Sequence, residues 1–146
     1  MAYWSDSGVR ATSVAGGSGT SSSPYLISTP AQLGYLCYLI NSSTSTSYKS
    51  KYYKLTADLN MNANYWIPIG YTSTSYAFTG NFDGDGHTIS YITINGTYSG
   101  CGLFGYAGSS ATIKNLKMTK LVITNAESST PTYVGCILGY SSNTTI

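Results

Sequence analysis

The chain has 146 residues, enough for one sizeable core, and only 8% of them are charged, against about 25% in an ordinary soluble domain. A net charge of +2 is too small to steer nucleic acid or an anionic membrane, and no apolar run nears the roughly 18 residues that cross a bilayer. Ser and Thr together number 42 and Tyr 15, so solubility must come from hydroxyls and amides. Residues 1–23 contain "AGGSGTSSS", the composition of a flexible linker, which Tyr3 and Trp4 are placed to pin against the rest. The start, "MAYWSDSGVR", lacks a basic-then-apolar leader. A hydroxyl-rich, Lys-poor sequence nonetheless favours a piece of an exported chain over a cytoplasmic protein.

Residues 30–41 predict the one clear helix. Thr29 is a good N-cap, Pro30 suits the first helical position, and Gln32 completes a capping box. Leu33, Leu36, Cys37 and Ile40 fall on one face. After a polar loop the signals turn to strand, beginning at Tyr52 and broken at Pro68. The Gly-rich "DGDGH" at Asp83–His87 precedes a strand over Thr88–Ile94. Short strands follow at Ile113–Met118 and Leu121–Thr124, and another in "TYVGCILGY".

The phrase "GLFGY" returns as "CILGY", setting Gly105 on Gly139, 34 residues on. "ATIKNL" over "TTI" sets Ile113 on Ile146, and "HTISYITI" over "ATIKNLKM" sets Ile89 on Ile113. Short strands at such a period, with no second helix, predict an all-β fold: a parallel β-solenoid with one N-terminal capping α-helix at about 30–41. The expected organisation is a Gly/Ser-rich N-terminal segment, 1–23, and a β-solenoid domain with its capping helix, 24–146. Stacked coils would bury Ile89, Ile113 and Ile146 in one column, with Gly84, Gly86, Gly105 and Gly139 at positive-φ corners.

The segments "PYLIST", "YYKLTADLNM", "WIPIG", "FTGNFDGDGHTISYITI", "GLFGY", "IKNL" and "VGCILGY" together resemble the GLUG-motif repeat proteins over about residues 17–146. These are bacterial and archaeal cell-surface proteins, often adhesins. The resemblance implies a parallel β-solenoid serving as an extracellular stalk or adhesive surface, and it implies no catalytic residues.

The constellations that carry chemistry are sparse. Asp83 and Asp85 are weak candidates for a metal, but calcium wants five or more oxygens, and a turn capped by Asp side chains accounts for both. A glycosidase pair would have to come from Asp6, Asp58, Asp83, Asp85 and Glu127, of which Asp58 reads as a buried cap. The single His87 and the three cysteines have no zinc-like spacing. Cys101 and Cys136 fall in the two copies of the repeated phrase, where they could meet, although small buried thiols fit Cys37, Cys101 and Cys136 better. The two lysine groups, Lys49, Lys51 and Lys54, and Lys114, Lys117 and Lys120, read as solvated strand faces. "TST" at Thr44 and Thr72 does not recur at the coil period, as an ice-binding ladder would require.

The expected function is therefore a non-catalytic structural or adhesive module at the cell surface, without cofactor, nucleic acid or membrane insertion. Its partners would be sugars, proteins or copies of itself. A carbohydrate-binding or polysaccharide-degrading β-helix and an ice-binding solenoid are alternatives. Another is a filament built by strand addition: Tyr3 to Val14, including Trp4, would dock on the open end left at Ile146 of a neighbour.

Overall fold

A computed structural model describes residues 1–42, 47–71, 73–124 and 133–146. Thirteen short strands and one α-helix lie among these residues. Strand β1 spans Tyr25–Ile27 and helix α1 Pro30–Asn41. Then come β2 (Tyr52–Leu55), β3 (Leu59–Asn60), β4 (Asn81–Asp83), β5 (Thr88–Ser90), β6 (Thr93–Asn95), β7 (Gly100–Cys101) and β8 (Phe104–Ala107). The last group is β9 (Thr112–Lys114), β10 (Lys117–Thr119), β11 (Val122–Thr124), β12 (Tyr133–Val134) and β13 (Leu138–Ser141).

All pairing between these strands is parallel. The largest sheet runs β1-β2-β4-β9 and the next β10-β5-β3; three further pairs are β11-β6, β12-β7 and β13-β8. Five consecutive strands, β4 to β8, thus pair in chain order with the next five, β9 to β13. The fold is all-β apart from α1.

Alternation places every second side chain inside. In the largest sheet Tyr53 pairs with Phe82 and Phe82 with Ile113, all at most 1% exposed. Leu59, Ile89 and Met118 form a second inward row. Trp66, buried in the same core, donates its Nε1–H to the Leu103 carbonyl at 3.0 Å. No buried side-chain nitrogen or oxygen among the described residues lacks a partner.

Helix α1 forms where local signals require it. Thr29 Oγ1 accepts from the Gln32 backbone N–H at 3.2 Å, and Pro30 opens the helix. The capping box is displaced by one residue: Gln32 Oε1 accepts from the backbone N–H and hydroxyl of Ser28, at 2.8 and 3.0 Å. Leu33, Leu36, Cys37 and Ile40 are buried as their spacing predicts, with Gly34 and Leu39. The helix is tied to the β region at its C-terminal end. Asn41 Nδ2 donates to the Pro68 carbonyl at 3.0 Å, and Asn41 Oδ1 accepts from the Gly70 N–H at 2.7 Å.

Three expectations are corrected. Ile89 does not stack on Ile113: Ile89 lies between Leu59 and Met118, and Ile113 beside Phe82. The Thr-Ile pattern occurs at more than one place within a repeat, at Thr88–Ile89, Thr93–Ile94 and Thr112–Ile113, because several of the short strands place an apolar residue inward after an outward Thr. The two matches at an offset of 33 or 34 residues hold as pairings, but Ile146, expected in the buried column, is 67% exposed. Leu138 and Tyr140 pair with Phe104 and Tyr106, flanking Gly139 and Gly105, and Thr145 pairs with Thr112 just before Ile146 and Ile113. Second, Thr88–Ile94 is not one strand. Tyr91, at φ 60°, breaks it and resets the alternation, so Ile89, Ile92 and Ile94 all face inward. Asn115, at φ 54°, divides β9 from β10 in the same way. Third, of the four glycines expected at positive-φ corners only Gly86 is one. Gly105 is instead needed for contact: a Cβ there would meet the Tyr71 Cα at 2.8 Å.

Candidate binding face

The outward side of the β1-β2-β4-β9 sheet carries two rows. Leu26, Lys54, Asp83 and Lys114 are in register across the four strands, and Tyr52, Asn81 and Thr112 across three. Together with Ser21, Pro24 and Tyr53, most of these residues line a groove of about 560 Å³.

The "DGDGH" turn fixes one end of the charged row. Asp83 Oδ1 accepts from the Asp85 backbone N–H at 2.9 Å, closing the turn, and from Asn115 Nδ2 at 3.0 Å. Its Oδ2 lies 3.4 Å from Lys114 Nζ, while Asp85 pairs with Lys54 Nζ at 3.1 Å. Partial burial works against the Asp83 charge. The Asp85 N–H, the Asn115 amide and Lys114 outweigh it, and the carboxyl is held below its ordinary range.

Asp58 is a cap, though an exposed one rather than the buried one expected. Its side chain is 74% accessible. Oδ1 accepts from the Thr88 N–H at 2.9 Å and faces His87 Nδ1 at 3.1 Å. These contacts, the backbone bond foremost, pull its carboxyl down. A glycoside-cleaving pair needs one acid held protonated by a raised pKa; Asp58 and Asp83 are both shifted the other way. Glu127, Thr44 and Thr72 lie outside the described residues. Among the described residues no three His, Cys, Asp or Glu side chains gather as metal ligands, and Asp83 and Asp85 face lysines.

The residues expected at a self-association surface separate. Tyr3 and Trp4 are engaged within their own chain. Tyr3 OH donates to the Asn95 carbonyl at 3.1 Å, and Trp4 Nε1 to that of Met61 at 3.1 Å. Their backbone is paired beside Tyr65. Val14 lines a crevice of about 140 Å³ with Tyr25, Tyr35, Leu39, Tyr48 and Tyr53. Ile146 is 67% exposed. Residues 1–23 are therefore pinned as Tyr3 and Trp4 predict, which leaves them occupied rather than free for a neighbour. All three cysteines are free; Cys37 and Cys101 are buried, and Cys136, expected to be buried too, is exposed.

The groove itself was not singled out by sequence reasoning. The alternation in "YYKL", "NFD" and "TIK" marks Lys54, Asp83 and Lys114 as outward, but only the register aligns them. A second surface feature is a tyrosine cluster on β8, β12 and β13. Tyr106 and Tyr140 rings lie 5.3 Å apart, and Tyr133 and Tyr140 rings 4.9 Å.

No helix among the described residues is long and apolar enough to cross a membrane. No family model matches the chain, so the likeness to GLUG-motif proteins rests on the quoted segments. No solved structure matches it either. It is similar to two curated proteins. One is Halomucin of Haloquadratum walsbyi, at 33% identity over 97% of this chain. The other is a protein named as a Gly-rich membrane protein, from Evansella cellulosilytica, at 32% identity over 86% of it. The chain spans 2% of the first relative's length and 14% of the second's.

Proposed function

We propose that this sequence is one segment of a parallel β-solenoid in a long cell-surface protein, acting there as a non-catalytic structural and adhesive module. The observation behind this reading is the ordered parallel pairing of β4–β8 with β9–β13. Each repeat lays its strands on those of the one before, the quasi-one-dimensional growth of a solenoid. Helix α1 and residues 1–23 cover the other end. The names of the two relatives and the small share of each that this chain spans agree with a surface-exposed, extended parent. A surface solubilised by hydroxyls suits contact with sugars or proteins without strong charge selectivity.

Ice binding gains no support, because the outward rows of the largest sheet mix Leu, Lys, Asp, Tyr and Asn. Self-assembly by strand addition keeps one favourable observation: Val122, Val134 and Ile146 are 50%, 60% and 67% exposed on the last strands and beyond. The segment meant to supply the added strand, Tyr3 to Val14, is already held.

Display of the chain on bacteria through an anchored carrier tests the adhesive reading. Displaying cells should clump or adhere to glycan-coated surfaces above the level of carrier-only cells. Equal adhesion, with display verified by antibody, would overturn it.

A further inference from the structure

We propose that the groove over β1-β2-β4-β9 is a binding site for a neutral oligosaccharide. This gives the adhesive reading a ligand class. A chain that adheres through some other surface would pass the cell test and fail the one below.

Size selects the groove. Ligand sites commonly enclose about 300–1,000 Å³. This concavity is about 560 Å³, whereas that beside Tyr106 and Tyr140 is about 280 Å³ and the Val14 crevice about 140 Å³.

Chemistry selects the ligand. Sugar hydroxyls need donors and acceptors at close quarters, and the C–H face of the ring needs an aromatic surface. Lys54 and Lys114 each retain N–H donors beyond the one directed at a carboxylate. Asn81 offers both a donor and an acceptor, Asp83 offers acceptor oxygens, and Tyr52, 37% exposed, supplies a ring with a hydroxyl. The array is set in advance, since the Asp85 N–H and Asn115 hold Asp83 while Asp85 holds Lys54. Such preorganisation lowers the ordering cost of binding.

Charge excludes the acidic sugars. Lys54 and Lys114 are balanced by Asp85 and Asp83, and Asp83 stays ionised, so an anionic chain finds no net attraction. A peptide is disfavoured for another reason. Both β2 and β4 have neighbours on each side, β1 is bridged on its outer side by Gly16 and β9 by Thr145, so the groove offers little open backbone edge for strand addition.

The test is isothermal titration of the full chain with three neutral probes, cellohexaose, mannohexaose and maltohexaose, and one acidic probe, hexagalacturonate. At least one neutral hexasaccharide should bind saturably. Tyr52→Ala should weaken it about tenfold or more, as loss of a central aromatic contact does. Tyr52→Phe, which keeps the ring, should retain most of the affinity. Circular dichroism establishes that each variant is folded. The proposal is overturned if no neutral probe binds, if Tyr52→Ala binds as tightly as the parent, or if hexagalacturonate binds best.

Discussion

At the scale of single residues, two carboxylates and two thiols have titrations shifted by their surroundings. Asp58 and Asp83 are both held below the ordinary carboxylate range. A group whose folded pKa is depressed adds stability that is complete above its unfolded value, about 3.9, and lost as pH falls through the folded one. Their contribution should therefore be flat above about pH 5 and decline below about pH 4. The midpoint of thermal unfolding should follow that course. In Asp58→Asn with Asp83→Asn the acid-limb drop should be shallower. An equal drop would mean that these contacts are not what acid removes. The thiols give a second expectation. Burial pushes Cys37 upward, although Asn41 Nδ2 donates to its sulfur, and burial also raises Cys101. Thiolate is the reactive form. In the native protein a maleimide should therefore label exposed Cys136 quickly and the other two only after denaturation. Mass spectrometry of the labelled chain counts the adducts; rapid double labelling would contradict the buried placement of Cys37 and Cys101.

At the scale of elements, what is legible in the sequence is what is local. Helix α1 was readable because Thr29, Pro30 and the Leu33–Ile40 spacing act within three or four residues of one another. The turn at Asp83–Asp85 was readable for the same reason. The break at Tyr91 was not, since tyrosine rarely adopts a left-handed backbone conformation; Asn115 is of a type enriched there, but the alternation around it also reads as one continuous strand. Pairings such as Asp58 with Thr88, 30 positions apart, carry no local signature. Nor does the alignment of Lys54, Asp83 and Lys114. The packing of residues 1–23 on α1 depends on Gly34 in a way no pattern shows. A Cβ at Gly34 would lie 2.1 Å from the Trp4 carbonyl oxygen, a backbone atom that cannot turn aside. Ala would favour the helix by about 1 kcal/mol, but overpacking of this kind costs about 1–3 kcal/mol. Gly34→Ala should therefore lower the unfolding midpoint and expose residues 1–23 to limited proteolysis. A variant as stable and as resistant as the parent would show that this segment is not docked on α1.

At the scale of the whole molecule the decisive quantity is register, because it determines which residues share a row and therefore whether the groove exists. Two alignments compete. Matching Thr-Ile phrases by eye sets Ile89 on Ile113 and so Thr88 beside Thr112. The structure pairs Asn81 with Thr112 and Thr88 with Lys117. Cysteine pairs separate the two. Neighbouring strands run about 4.8 Å apart, inside the Cα separation of about 4.4–6.8 Å that a disulfide spans. Asn81 and Thr112 both point outward from the largest sheet, flanking buried Phe82 and Ile113. In a background with Cys136→Ser, the double variant Asn81→Cys with Thr112→Cys should cross-link under mild oxidation. Thr88→Cys with Thr112→Cys should remain reduced. The cross-link encloses the chain between β4 and β9, so it appears as faster migration in a non-reducing gel. It should also raise the unfolding midpoint, because a loop of about 30 residues loses entropy in the unfolded state. Cross-linking of the Thr88 pair instead would restore the phrase-matched register and, by moving Lys54, Asp83 and Lys114 out of line, dismantle the groove.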